Sequence, residues 1–258
     1  MPKRLMKVPL HLVRARRQQL AAWMQQHGHA SLQEICARFS VSEATARRDL
    51  AALEQERQII RTYGGALSEY NHRFASFRER QERHAEAKAA IARQALAHVR
   101  PGSTLFLDAG TTVYAVAEAL ARQPVTPLEV VTNSLPVANL LAAVPAVRLH
   151  LLGGELLFRQ SVLVGPAARA AFRLYRPDLA FLGAEGMDAR GLWNSQEDVA
   201  AFQREVIRRS GRSFFCLDSS KLGCRAPIFL LPWKRCGALL TDAPWERLAA
   251  ASIPSFPS

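Results

Sequence analysis

Arg47 and Arg48 stand side by side, five and six residues after Ser42. Each guanidinium can donate two coplanar hydrogen bonds to guanine O6 and N7 or to a phosphate. With Ala46, Leu50 and Leu53 on the inward face of a helix, Glu43, Ala44, Arg47 and Arg48 fall on or beside the opposite face. Residues near the start of such a helix are the ones that reach base edges. Ser42 and Thr45 bring hydroxyls suited to phosphate, and Arg61 and Tyr63, just before Gly64-Gly65, are placed to touch the duplex backbone. The plain alternative is an arginine paired with Glu43 or Asp49 on a surface helix. An arginine pair alone favours that alternative, but its setting favours double-stranded DNA.

A second group of polar residues lies downstream. In LFLDAGTTVYAVAEAL a strand runs into Asp108-Ala-Gly-Thr-Thr112 and then a helix. Gly110 permits a sharp turn, and the amides at the helix start, with the hydroxyls of Thr111 and Thr112, make a seat for a phosphate. The pattern recurs at Thr132, Asn133 and Ser134, and again at Gly153, Gly154 and Glu155. Asp178, Asp218 and Lys221 supply charge: Lys221 can neutralise a phosphate, and a carboxylate such as Glu155 can accept from sugar hydroxyls. Each also has a structural alternative, Asp108 as a helix cap, Asn133 within a turn, Asp178 bracing a loop. No residue pair marks a tuned acid and base, so the expectation is ligand binding and no enzyme activity. The alternative is a sugar-phosphate isomerase-like enzyme carrying a DNA-binding extension.

These residues need scaffolds, and the sequence outlines two. Leu12, Leu20, Trp23 and Met24 recur at helical spacing until His27-Gly28. Ser31 and Glu34 fit a capping box, in which serine and glutamate satisfy free amides at a helix start. That second helix buries Ile35 and Phe39 and breaks at Ser40-Val41. Ser42 caps a third helix reaching about Gln55, and QIIRTYGGALS reads as a β-prone run, a Gly-Gly turn and a short return. Three helices and a hairpin make a winged helix-turn-helix over residues 1–68. Residues 69–86 read as a linker helix, because FRERQERH has no apolar stripe. In EAKAAIARQALAHV, Ala89, Ile91, Ala95, Leu96 and Val99 can pack onto an α/β domain over residues 87–258. There the runs TLFLD, LEVVT, VRLHLL, LAFLG, SFFCLD and ALLTD alternate with helical patterns. Strands buried on both faces imply a mainly parallel sheet with helices on each side, and ligands of such sheets sit at the carboxyl ends of the strands.

Composition narrows the partners. The 258 residues carry a formal net charge of +12. Residues 1–64 hold 11 Lys+Arg against 5 Asp+Glu, so half the surplus falls in the first quarter, where a polyanion would be held. The four cysteines form no CxxC pair and sit in apolar surroundings, which suits buried free thiols in a reducing cytoplasm. No metal or cofactor is expected. The start is basic but has no long apolar core or small-residue cleavage site, and no run approaches the ~20 apolar residues of a membrane span. The expected location is cytoplasmic.

The stretch VSEATARRDLAALEQERQIIRTYGGA, Val41 to Ala66, resembles without gaps the signature of the DeoR-type bacterial transcriptional regulators, VSxxTxRRDLxxLExxxxxxRxxGGA. Ala46 stands where these regulators usually carry isoleucine. The later motifs DxGTT, VTNS, LGGE, PDxAFLG and LDSSK occur in the order found in the sensor domain of the same family, so the resemblance spans roughly residues 12–243. It implies a Rossmann-like α/β sensor domain related to ribose-5-phosphate isomerase, and a sugar phosphate or related metabolite as effector. It also implies a regulator, most often a repressor, of carbohydrate catabolism. Carried over by position, the effector pocket uses Asp108, Gly110, Thr111, Thr112, Thr132, Asn133, Ser134, Gly154, Glu155 and Lys221. The chain departs from the family pattern at Val113, where a third threonine is common, and at Gln203, where a lysine is common. A two-fold operator favours a homo-oligomer, dimer or tetramer.

Overall fold

The computed structural model describes residues 9–27, 29–56, 59–62, 65–68, 77–157 and 160–256. The chain divides into two compact units, Met1–Phe74 and Ala75–Ser258.

The first unit contains α1 (Leu10–His27), β1 (His29–Ser31), α2 (Leu32–Phe39), α3 (Glu43–Gln55), β2 (Ile59–Thr62) and β3 (Gly65–Ser68). Local chemistry sets the boundaries. Ser31 Oγ accepts from the Glu34 amide at 3.2 Å while the Ser31 amide donates to Glu34 Oε2 at 2.8 Å, so two unpaired donors at the start of α2 are satisfied together. Ser40 in the left-handed conformation (φ 51) ends α2, and Ser42 Oγ caps α3 through the Thr45 amide. Leu20, Met24, Ile35, Ala46, Leu50 and Leu53 form the core, with Trp23 edge-on to the half-buried Phe39. Leu12, which shares their helical spacing, is exposed instead. The wing is a three-stranded antiparallel sheet in the order β1-β3-β2, with β1 added to the expected hairpin.

The second unit begins with α4 (Phe77–Glu82) and α5 (Ala85–Leu96). Residues 77–82, expected in the linker helix, pack on the second unit: Phe77 stacks edge-on with Tyr114, and Gln81 donates to Glu118. Six strands follow as one parallel sheet: β4 (Thr104–Leu107), β5 (Leu128–Thr132), β6 (Val147–Leu151), β9 (Leu179–Leu182), β12 (Arg212–Cys216) and β14 (Ala238–Leu240). Their spatial order is β14-β12-β9-β4-β5-β6. Numbered by appearance within the sheet, this is 6-5-4-1-2-3, the doubly wound Rossmann order, with its switch point between β4 and β9. α6 (Thr111–Arg122) and α7 (Leu135–Leu141) lie with α5 on the face of Leu105, Val130 and Phe181; α8 (Gly165–Phe172) and α9 (Glu197–Arg209) lie on the face of Phe106, Val131 and Leu182. Burial of alternate residues on opposite faces explains why these strands read as continuous apolar runs.

Shorter elements complete the unit. A hairpin joins β7 (Glu155–Leu157) to β8 (Val162–Val164), and β10 (Gly186–Asp188), β11 (Gly191–Asn194) and β13 (Ile228–Pro232) form an antiparallel sheet. α10 (Trp245–Ala250) follows β14. Cys216 and Cys236 are buried and Cys36 half-buried, but Cys224 is exposed rather than in apolar surroundings. Among the described residues no helix is long and apolar enough to cross a membrane.

Candidate functional site

In the first unit, α3 sorts its residues by face. Ala46, Leu50 and Leu53 are buried; Ser42, Glu43, Ala44, Arg47 and Arg48 are exposed, and Thr45 is half-buried. Asp49, 2% exposed, accepts from Arg16 Nε at 2.7 Å and Arg17 Nε at 2.9 Å, which ties α3 to α1. Asp49 therefore does not take up Arg47 or Arg48. Arg47 makes one open ion pair with Glu43 at 3.5 Å, both side chains more than half exposed, an interaction of about 0.3–0.5 kcal/mol that a phosphate readily replaces. Arg61 lies on β2 opposite Ala66, and its side chain, like all of Tyr63, lies outside the described residues. The three- and four-residue spacing of the buried Ala46, Leu50 and Leu53 keeps the two arginines on a solvent face while the buried Asp49 ties the other face to α1.

In the second unit the polar turns follow strands of one parallel sheet, so they gather along its carboxyl edge. At the switch point, Asp108 leaves β4 with 1% exposure. Its Oδ2 accepts from Gln203 Nε2 on α9 at 2.5 Å and from the Gly183 amide after β9 at 3.2 Å. Gln203 also donates to the Gly183 carbonyl and accepts from Asn194. Burial is the chief cause that pushes the Asp108 carboxyl up to about 6, opposed by these donors and the Ala109 amide. Gly110, with φ +116, turns the chain into α6. No side chain caps that helix, and Thr111 and Thr112 sit at its first turn with 8% and 9% exposure. An uncapped helix start with two hydroxyls is suited to an anion. Val113 is fully buried in the core.

The β5 turn behaves differently residue by residue. Thr132 donates to the Leu107 carbonyl at 2.6 Å and accepts from the Ser134 amide at 3.0 Å. Its hydroxyl braces β5 to β4. Ser134 Oγ caps α7. Asn133 donates to the Leu163 carbonyl, while its Oδ1 is buried with no hydrogen-bond partner. Gly154 serves packing: a Cβ there would sit 2.5 Å from the Val164 carbonyl oxygen. Glu155 is exposed on the hairpin strand β7, whose partner β8 pairs with the Asn133 turn.

Lys221 lies after β12, on the other flank of the switch point, half-buried in a short turn (Ser219–Lys221) that Asp218 closes by accepting from the Ser220 amide. Asp178 lies at the opposite, amino edge of the sheet, where it accepts from the Thr104 amide at 2.8 Å and braces the start of β4. Two residues not expected from the sequence belong to the edge. Glu185, after β9, accepts from Ser195 Oγ at 2.6 Å; burial raises its carboxyl, and Lys221 and Arg80 oppose the rise. Lys88 on α5, 4% exposed, donates to the carbonyls of Arg80, Gln81 and Arg83. Its ammonium is lowered chiefly by burial, against the pull of Asp218 and with the push of Lys221. The signal for Glu185 was available: GAEGMD is another polar turn immediately after an apolar strand.

Comparison with known proteins agrees with this division. The DeoR-like helix-turn-helix domain family matches residues 16–71, and the DeoR C terminal sensor domain family matches residues 83–243. The chain is 35% identical over 222 residues to the glycerol-3-phosphate regulon repressor of Escherichia coli (strain K12), covering 86% of this chain and 87% of that protein. It is 33% identical over 221 residues to the HTH-type transcriptional repressor GlcR of Bacillus subtilis (strain 168), covering 85% and 84%. Among solved structures, ribose 5-phosphate isomerase a from Methanocaldococcus jannaschii aligns over 54% of each chain with TM-score 0.39 and 17% identity.

Proposed function

The chain belongs to the DeoR family of transcriptional regulators, and from that membership we propose that it represses a carbohydrate-catabolism operon under control of a phosphorylated sugar or sugar-like effector. The observation that carries the DNA-binding half is the outward face of α3, with Arg47 and Arg48 exposed while Asp49 is held by Arg16 and Arg17. In this reading Arg47 and Arg48 reach base edges or phosphates, Ser42 and Thr45 touch phosphate, and Glu43 and Ala44 line the groove. Arg61 and Tyr63 at the wing touch backbone.

The effector binds along the carboxyl edge of the parallel sheet. The Gly110 turn with Thr111 and Thr112 seats the phosphate, Lys221 neutralises it, and Asp108 and Asn133 accept from the rest of the ligand. Relatives are named as repressors of a glycerol-3-phosphate regulon and a lactose phosphotransferase system, which supports a phosphorylated effector here. The effector controls transcription only if it binds one arrangement of the protein better than another. A homo-oligomer, dimer or tetramer, presents two recognition helices to operator half-sites.

Binding of labelled operator DNA tests both halves. Arg47→Ala or Arg48→Ala is expected to cost about 1–3 kcal/mol of specific affinity, and operator affinity unchanged by both would remove α3 from the interface. Lys221→Ala is expected to leave operator affinity intact and blunt the response to effector. An undiminished response places the phosphate elsewhere.

A further inference from the structure

Two acceptors at the carboxyl edge of the sheet lack donors among the described residues. Asp108 Oδ1 is buried and has no hydrogen-bond partner among the described residues. Among the described residues, the groups that bond its carboxylate are neutral, namely Gln203, Gly183 and Ala109. Asn133 Oδ1 is also buried and without a partner among the described residues, while its amide nitrogen donates to the Leu163 carbonyl. The register pairs Leu107 with Thr132, which sets Asp108 beside Asn133 on adjacent strands. Alternation puts both on the Phe106 and Val131 side of the sheet, with strands about 4.8 Å apart. Two buried oxygens, one of them on a carboxylate, thus lie on neighbouring strands, each without a hydrogen-bond partner among the described residues. Glu185 adds a second carboxylate after the neighbouring strand. The cations, Lys221 and Arg80, lie on the Glu185 flank.

Resting on the effector reading above, we propose that the effector carries a positively charged amino group, seated on Asp108 Oδ1 and Asn133 Oδ1, and is an amino-sugar phosphate. A sugar hydroxyl donates one hydrogen and brings no charge. An ammonium donates three and neutralises a carboxylate that the uncharged Gln203 leaves uncompensated. Gln203 is the specificity-determining residue in this arrangement, because a cation at the same place would neutralise Asp108 itself and repel the ligand's amine.

The test uses the full chain at pH 7.5, with calorimetry and melting shifts for 2-amino-2-deoxyglucose 6-phosphate and 2-amino-2-deoxygalactose 6-phosphate against glucose 6-phosphate and galactose 6-phosphate. At least one amino sugar is expected to bind ten-fold or more tightly than its parent. Gln203→Lys is expected to abolish or reverse that preference, and Asp108→Asn, which keeps the shape and removes the charge, to abolish it. Equal binding of amine and parent, tighter binding of the parent, or a preference that survives in both variants would overturn the proposal. If none of the four binds but other phosphorylated sugars lacking an amine do, the amine assignment falls and the effector reading stands. If no phosphorylated compound binds, both fall.

Discussion

Asp108 holds its charge at a cost that pH can expose. Burial lifts the folded-state carboxyl from 3.8 to about 6, so between those values the folded chain binds more protons than the unfolded one. Stability from this group is therefore highest below about pH 4 and declines as pH rises through 6, by about 3 kcal/mol for a shift of about two units. Asp108→Asn removes that dependence. Relative to the parent, the variant is expected to gain stability from pH 4 to about pH 6 and to level off above about pH 7, as read from denaturant midpoints across the range. A constant difference between the two proteins would show that Asp108 ionises as an exposed aspartate does. The same property serves ligand recognition, since a carboxylate with a vacant, desolvated oxygen gains more from a donor than a hydrated one.

At the scale of elements, the end of α4 is held by a side chain. The carbonyls of Arg80, Gln81 and Arg83 have no continuing helix to serve and are met by the ammonium of Lys88. Lys88→Met keeps the packing volume and removes the donor. Amide exchange across residues 77–84 is expected to accelerate about 10–100-fold, as loss of about 1–3 kcal/mol of local protection implies, while α6 keeps its rates. Unchanged exchange at 77–84 would mean that the contacts of Phe77 and Gln81 suffice. Lys88 also shows where a sequence stops being informative: in HAEAKAAIA it looks like a surface lysine, because its partners are backbone carbonyls that no side-chain pattern records. What was legible was local or two-sided. The capping box at Ser31 and the N-cap at Ser42 announce α2 and α3, and the runs TLFL, LEVVT and LAFL announce strands because both of their faces are buried. β1, β7, β8 and β10 escaped because each is three residues long, too short for a period, and β1 pairs with residues 65–67 far along the chain. The polar turns after strands were legible, but that Thr132 is paired while an oxygen of Asp108 and of Asn133 is not depended on partners from other elements.

For the whole molecule, charge is divided between the two units in a way that salt can read. Residues 1–64 hold a surplus of six positive charges, equal to that of the other 194 residues, yet Arg16 and Arg17 are occupied by Asp49. Operator affinity is expected to fall linearly in log–log form with salt, because each phosphate contact releases a condensed counterion. The slope separates the two roles open to the arginines of α3. If Arg47 grips phosphate, Arg47→Ala lowers affinity about equally for operator and unrelated duplex and reduces the slope by about one. If it reads a base, the slope holds and discrimination at one base pair is lost. Arg48→Ala divides in the same way. Lys221→Ala, in the second unit, is expected to leave the slope untouched despite removing the same formal charge. A slope that changed as much for Lys221→Ala as for the two α3 variants would mean that the DNA feels the overall charge of the protein, and would take the recognition face away from α3.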